Sequence, residues 1–241
     1  MIELIKVKDY KELSEVAGKV MLELVQAKPD CTLGLATGSS PIGLYQYLID
    51  AYKKGEVSFA NVKSFNLDEY CDLPREHPES YYSFMHTNLF NHIDIREENV
   101  HLPSSLGGDL EKNCKDYSDA LNAAVVDMQL LGIGANGHIG FNEPGTSFEQ
   151  ETFIVKLTEK TRLDNQRFFN SLDEVPTHAM TMGIKNIMQA KKLLLVASGK
   201  NKQDAVKKLL SGEITEEFPA SILNKHNDVV VIIDEEAAGL L

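Results

Sequence analysis

Apolar residues fall along this chain in two alternating rhythms. Short aliphatic and β-branched runs predict strands: IELIKV at 2–7, the stretch 31–36, VKSFNL at 62–67, VVDMQLLGIG at 125–134, KLLLVASG at 192–199 and DVVVIID at 228–234. Longer stretches between them carry apolar residues every three or four positions. YKELSEVAGKVMLELVQA at 10–27 predicts an amphipathic helix, and further helices are expected after Pro41, near 79–90, over 108–123 and over 201–211. Apolar strands alternating with helices predict a mostly parallel sheet covered on both faces. In such sheets ligands bind beyond the carboxyl ends of the strands, where the strand order reverses. Polar clusters follow four of the predicted strands, and that coincidence points to a single site.

Composition narrows the partners. The chain has 241 residues and a formal net charge of −12. That balance argues against a nucleic-acid surface or an anionic membrane partner, both of which need a basic face. An anionic small molecule would have to be held by a few local cations. Cys31, Cys71 and Cys114 form no CxxC pair, so they read as reduced thiols of a cytoplasmic protein, not as a disulfide frame or a zinc site. MIELIKVKDY lacks the pattern of a signal peptide, and no apolar run approaches the ~18 residues of a membrane span.

Four clusters carry candidate chemistry. In ATGSSP, Thr37, Gly38, Ser39 and Ser40 offer hydroxyls and backbone N–H groups where a strand meets a helix, a favoured place for phosphate. A simple helix cap would use the same residues. In FNLDEY, Asp68 and Glu69 follow an apolar strand. One carboxylate there can project into a cleft as a base for a proton α to a carbonyl or imine, while the other takes a structural partner. LGIGANGHIGFNEPG at 131–145 joins Asn136, His138 and Glu143 on a loop hinged by Gly132, Gly134, Gly137 and Gly140. An imidazole has its unperturbed pKa near neutrality, and Glu143 could fix the tautomer of His138. A metal held by His138, Glu143 and Asp68 is a competing idea, although no second spaced His or Cys accompanies them. Last come two late cations, Arg167 and Lys202, suited to grip a phosphate.

FNLDEY, EHPESYYSFMHTNLF at 76–90, GIGANGHIGFNEPG at 132–145 and TRLDNQRFF at 161–169 resemble glucosamine-6-phosphate deaminase, of the glucosamine/galactosamine-6-phosphate isomerase family, over nearly the whole chain. The resemblance implies one domain spanning 1–241 and an α/β fold: a three-layer α/β/α sandwich with a modified Rossmann-type, mostly parallel sheet. It also implies a lid at about 150–176 and no cofactor or metal. The implied substrate is D-glucosamine 6-phosphate and the products are D-fructose 6-phosphate and ammonia. By the same resemblance Asp68 moves the proton between C2 and C1, and His138 opens the ring with Asn136 and Glu143 behind it. Thr37, Gly38, Ser39, Ser40, Gly137, Arg167 and Lys202 fall at the substrate-binding positions.

Two departures from the family pattern matter. Several members carry Asp at the position of Asn136, and an amide there can orient a partner but cannot take up a proton. Phe153 and Val155 stand where allosteric hexamers place cations, and the chain ends at Leu241 without their longer extension. The expectation is a monomer without an effector site. The rival enzyme, a 6-phosphogluconolactonase, would need neither Asp68 nor Glu143 for lactone hydrolysis. A non-catalytic sugar-phosphate sensor would ordinarily append a helix-turn-helix of ~60 residues, for which there is no room.

Overall fold

The computed structural model describes residues 2–166 and 169–241, without the side chains of Lys160, Asp164 and Asn165. In chain order the elements are β1 (Ile2–Val7), α1 (Tyr10–Ala27), β2 (Thr32–Leu35), α2 (Ile42–Lys53), β3 (Lys63–Asn66), β4 (Asp68–Tyr70), α3 (Tyr81–Asn88) and β5 (Val100–His101). They continue with α4 (Leu110–Ala124), β6 (Met128–Leu131), β7 (Phe153–Lys156), α5 (Glu159–Asn165), β8 (His178–Thr181), α6 (Ile184–Ile187), β9 (Lys192–Ala197), α7 (Gln203–Leu210) and β10 (Val229–Asp234).

The helix starts follow from local chemistry. Asp9 caps α1 by accepting from Glu12 N at 3.0 Å, and Ser80 caps α3 by accepting from Ser83 N at 3.0 Å. On α1, Leu13, Ala17, Met21 and Val25 recur every fourth residue and are all buried, so one face packs on the sheet.

Seven strands form one parallel sheet in the order β1-β10-β9-β6-β2-β3-β5. Every residue of β10 is buried, as two covered faces require of a central parallel strand. Each large aliphatic side chain removed from water there stabilises the fold by roughly 1.5–3 kcal/mol. The chain runs outward from β2 to β3 and β5, then crosses back to β6 on the other flank of β2. The crevice at the carboxyl ends of β2 and β6 is thus the point where the strand order reverses, the place expected for a ligand.

A second, antiparallel sheet in the order β4-β8-β7 was not expected from the sequence. It has its own apolar cluster of Tyr70, Leu73, Phe141, Leu157 and Ala179. Asp68 opens β4, and the segment near 150–176 contains a strand, β7. The strand expected over 125–134 is shorter, covering Met128–Leu131, because Val125 closes α4 in the left-handed region at φ 52°. No helix among the described residues is long and apolar enough to cross a membrane.

Candidate active site

Three of the polar clusters, and Lys202 of the fourth, sit at the carboxyl ends of β2, β3, β6 and β9, which are four neighbouring strands of the large sheet. They close a pocket of about 450 Å³ whose lining includes Thr37, Gly38, Ser39, Ser40, Asp68, His138 and Lys202. Four distant segments therefore converge on one pocket.

After β2 the chain is pinned from behind. The Tyr45 hydroxyl donates to Ala36 O at 2.5 Å. The Tyr10 hydroxyl meets Ser39 O and Ser40 O at 2.9 and 3.2 Å and accepts from Gly43 N at 3.0 Å. Among the described residues, no partner in the chain uses the backbone N–H groups of Thr37 to Ser40. The α2 N-terminus that follows has no side-chain cap. Orphan N–H groups and the positive end of a helix dipole together suit an anion.

Lys202 supplies the charge on the opposite wall. Its loop is set by Asp234 at the end of β10, which accepts from Ser198 Oγ and, at 3.1 Å, from Gly199 N. Lys202 Nζ donates to Ile133 O at 2.7 Å, tying this loop to the glycine loop after β6. Burial lowers the ammonium below the usual lysine range, so a bound anion would favour its charged form.

The glycine loop folds back on itself. The His138 ring lies over Gly134, where an added Cβ would come within 2.3 Å of the ring, so the close approach needs glycine. His138 Nδ1 is 2.7 Å from Asn136 Oδ1, which also accepts from His138 N at 3.2 Å. Asn136 Nδ2 in turn donates to Glu143 Oε2 at 2.7 Å. The chemistry fixes the amide orientation, since a carboxylate only accepts. In the neutral ring Nδ1 then carries the proton, which leaves Nε2 as the basic nitrogen. Glu143 itself is 3.8 Å from His138 Nδ1, so it orients the imidazole mainly through Asn136. Its other oxygen accepts from Thr161 Oγ1 on α5 at 3.2 Å.

Asp68 is buried, with 6% of its surface exposed. Gly140 passes close beside it at φ 55°, and a Cβ on that residue would lie 3.5 Å from Asp68 Oδ2. Burial, with the neighbouring Glu69 charge adding to it, pushes the Asp68 carboxyl up to about 8. Few carboxyl groups reach that range, and it suits a group that takes and returns a proton near neutrality.

Not every expected residue lines the pocket. Asn136 and Glu143 stand behind His138. Gly137 faces away, its N–H bonded to Gly134 O and its carbonyl to Ala220 N, both at 2.9 Å. Arg167 lies outside the described residues. Sequence reasoning missed the apolar wall made by Ile42, Tyr81, Phe84, Phe141 and Phe169. Tyr81 stacks on Phe141 with centroids 6.3 Å apart. The available signal was the capping Ser80 ahead of the aromatic run in PESYYSF.

Residues 9–232 match the family model described as glucosamine-6-phosphate isomerases/6-phosphogluconolactonase. A glucosamine-6-phosphate deaminase of Clostridium novyi (strain NT) is 51% identical over 241 residues, covering 100% of both chains. A solved structure of a monomeric glucosamine-6-phosphate deaminase is 46% identical, with a TM-score of 0.97 over 99% of this chain and 100% of that one. The 6-phosphogluconolactonase of Trypanosoma brucei shares the fold at a TM-score of 0.81 but only 20% identity, over 100% of each chain. Matched along nearly all of its length and half-identical to full-length relatives, the chain belongs to the family of glucosamine-6-phosphate isomerases and 6-phosphogluconolactonases.

Proposed function

We propose that the chain is a glucosamine-6-phosphate deaminase, converting D-glucosamine 6-phosphate and water to D-fructose 6-phosphate and ammonia. One observation carries this reading: a buried carboxyl with a proton affinity near neutrality, Asp68, shares a pocket with His138 and an anion cradle. Full-length relatives that bear this name support it.

The phosphate rests on the Thr37–Ser40 loop and Lys202, with Arg167 as a further cation. Anchoring it there positions C1 and C2 at the far end of the pocket. His138 Nε2 takes the C1 hydroxyl proton and passes it to the ring oxygen as the C1–O5 bond breaks and the ring opens. Asn136 and Glu143 hold the imidazole in the required tautomer and favour the transient imidazolium. Asp68, as the carboxylate, removes the proton from C2 to give an enolamine and returns it to C1. Water adds to the resulting C2 iminium, and ammonia leaves as the C2 carbonyl forms. The segment at about 150–176, with α5 touching Glu143 through Thr161, covers the site and keeps water from the enolamine. We further propose a cytoplasmic enzyme that works as a monomer and needs neither metal nor organic cofactor.

Coupling ammonia release to a dehydrogenase tests the reading. Glucosamine 6-phosphate should yield ammonia and fructose 6-phosphate in equal amounts. Hydrolysis of 6-phosphogluconolactone without ammonia release would replace it with the lactonase alternative.

A further inference from the structure

The second carboxylate of FNLDEY has no place in the mechanism above, yet it is more buried than Asp68, with 4% of its surface exposed. Strand alternation turns Glu69 away from the pocket that Asp68 and Tyr70 line. Its two oxygens are filled by backbone N–H groups. Oε1 accepts from Tyr70 N at 2.8 Å and Tyr81 N at 3.0 Å, and Oε2 accepts from Tyr82 N at 2.9 Å. Tyr81 and Tyr82 open α3, and the next residue, Ser83, is capped by Ser80.

A helix of 8 residues does not hold its place by its own hydrogen bonds. The Glu69 contacts join its start to β4, and Tyr81 and Phe84 of the same helix wall the pocket. Tyr81 also packs against Tyr70 of β4, the rings tilted by 45° with centroids 4.8 Å apart. The strand that carries the base and the helix that faces it are therefore fastened by one buried side chain.

We propose that Glu69 is a positioning residue for the deamination: it clamps the first turn of α3 to the strand bearing Asp68 and so holds the base against its aromatic wall. This inference rests on the functional reading above. The same carboxylate acts on Asp68 through charge. The ionisable groups around Asp68 are Glu69 and Tyr70 on its own strand, Tyr81 on α3, Tyr117 on α4, and Glu79, His138 and Lys202 on the surrounding loops. Among these, Glu69 adds to burial in keeping the Asp68 proton on. Removing its charge should lower the proton affinity of Asp68.

Two variants separate position from charge, each assayed for ammonia release beside the unmodified enzyme. Glu69→Gln keeps the length but sets an amide N–H against a backbone N–H. Its kcat should fall about ten- to hundredfold with KM changed less than about threefold, and the acidic limb of kcat/KM should move to lower pH. Glu69→Asp keeps the charge but withdraws the oxygens, so kcat should fall while the acidic limb stays in place. Activity of the Gln variant equal to the unmodified enzyme would overturn the proposal. So would a loss in that variant with an unmoved limb or with a rise in KM alone, and so would failure of both variants to fold, which would mark a purely structural carboxylate. Absence of ammonia release by the unmodified chain would instead refute the functional reading.

Discussion

Asn136 Oδ1 receives both N–H groups of His138, the backbone one at 3.2 Å and ring Nδ1 at 2.7 Å. An amide oxygen cannot donate, so this contact selects the tautomer without sharing a proton. Asn136→Leu removes the contact and strands Glu143, and kcat should fall about ten- to hundredfold. Asn136→Asp instead places a negative charge against the ring. An NMR titration of the His138 ring protons should then show its midpoint moving to higher pH, because the charge favours the imidazolium.

Asp68→Asn leaves the pocket's shape but removes the proton carrier. Turnover should drop by roughly 10²–10⁴, while glucosamine 6-phosphate still raises the melting temperature. In the unmodified enzyme kcat/KM should climb with pH, reach half its plateau near pH 8, where the carboxyl ionises, and level off above that. The same shift has a stability consequence. The folded state binds this proton more tightly than the unfolded chain, so the stabilisation is full below about pH 4 and is lost as pH rises to about 8. Asp68→Asn should therefore melt several degrees above the parent at pH 9 and gain nothing at pH 3. Melting scans across that range check the sign.

Lys202 Nζ lines the pocket and is held by Ile133 O at 2.7 Å. Lys202→Met should raise KM about 10- to 100-fold with kcat changed little, as expected for binding shared by ground and transition states. Arg167→Ala should likewise raise KM strongly. Steady-state kinetics with inorganic phosphate as competitor checks the shared role: both variants should lose phosphate inhibition.

Val155 faces the small apolar cluster around Tyr70 and Phe141, and Phe153 pairs with Thr181 on β8. Neither offers a charge to an effector phosphate. Velocity curves should be hyperbolic, and N-acetylglucosamine 6-phosphate should leave their shape unchanged. Sedimentation at assay concentration should give the mass of one chain.

The large sheet was readable because each of its long strands is apolar enough to be buried on both faces, as in VVVIID and KLLLVA. The loops that follow those strands were readable for the same reason: the sheet fixes where they must end. The small sheet was not. Asp68–Tyr70 and Phe153–Lys156 are strands of 3 and 4 residues, and they meet only through β8, far along the chain. No local period marks so short a pair. The roles within FNLDEY were half visible, since alternation demands that two adjacent carboxylates face opposite ways. That Glu69 would meet the start of α3 depends on the fold. The direct pairing of Glu143 with His138 gives way to an amide between them, because the loop turns tightly enough for Asn136 to reach both.

Among the described residues β1 occupies an edge of the sheet and pairs with β10 alone, in the register Ile2↔Val229. β1 thus pairs with a strand that lies more than two hundred residues further along the chain. Until the two meet, α1 and the sticky edge of β1 must wait, open to chance association with other chains. Closure of this edge is a long-range event, which the strand order makes slower than local pairing.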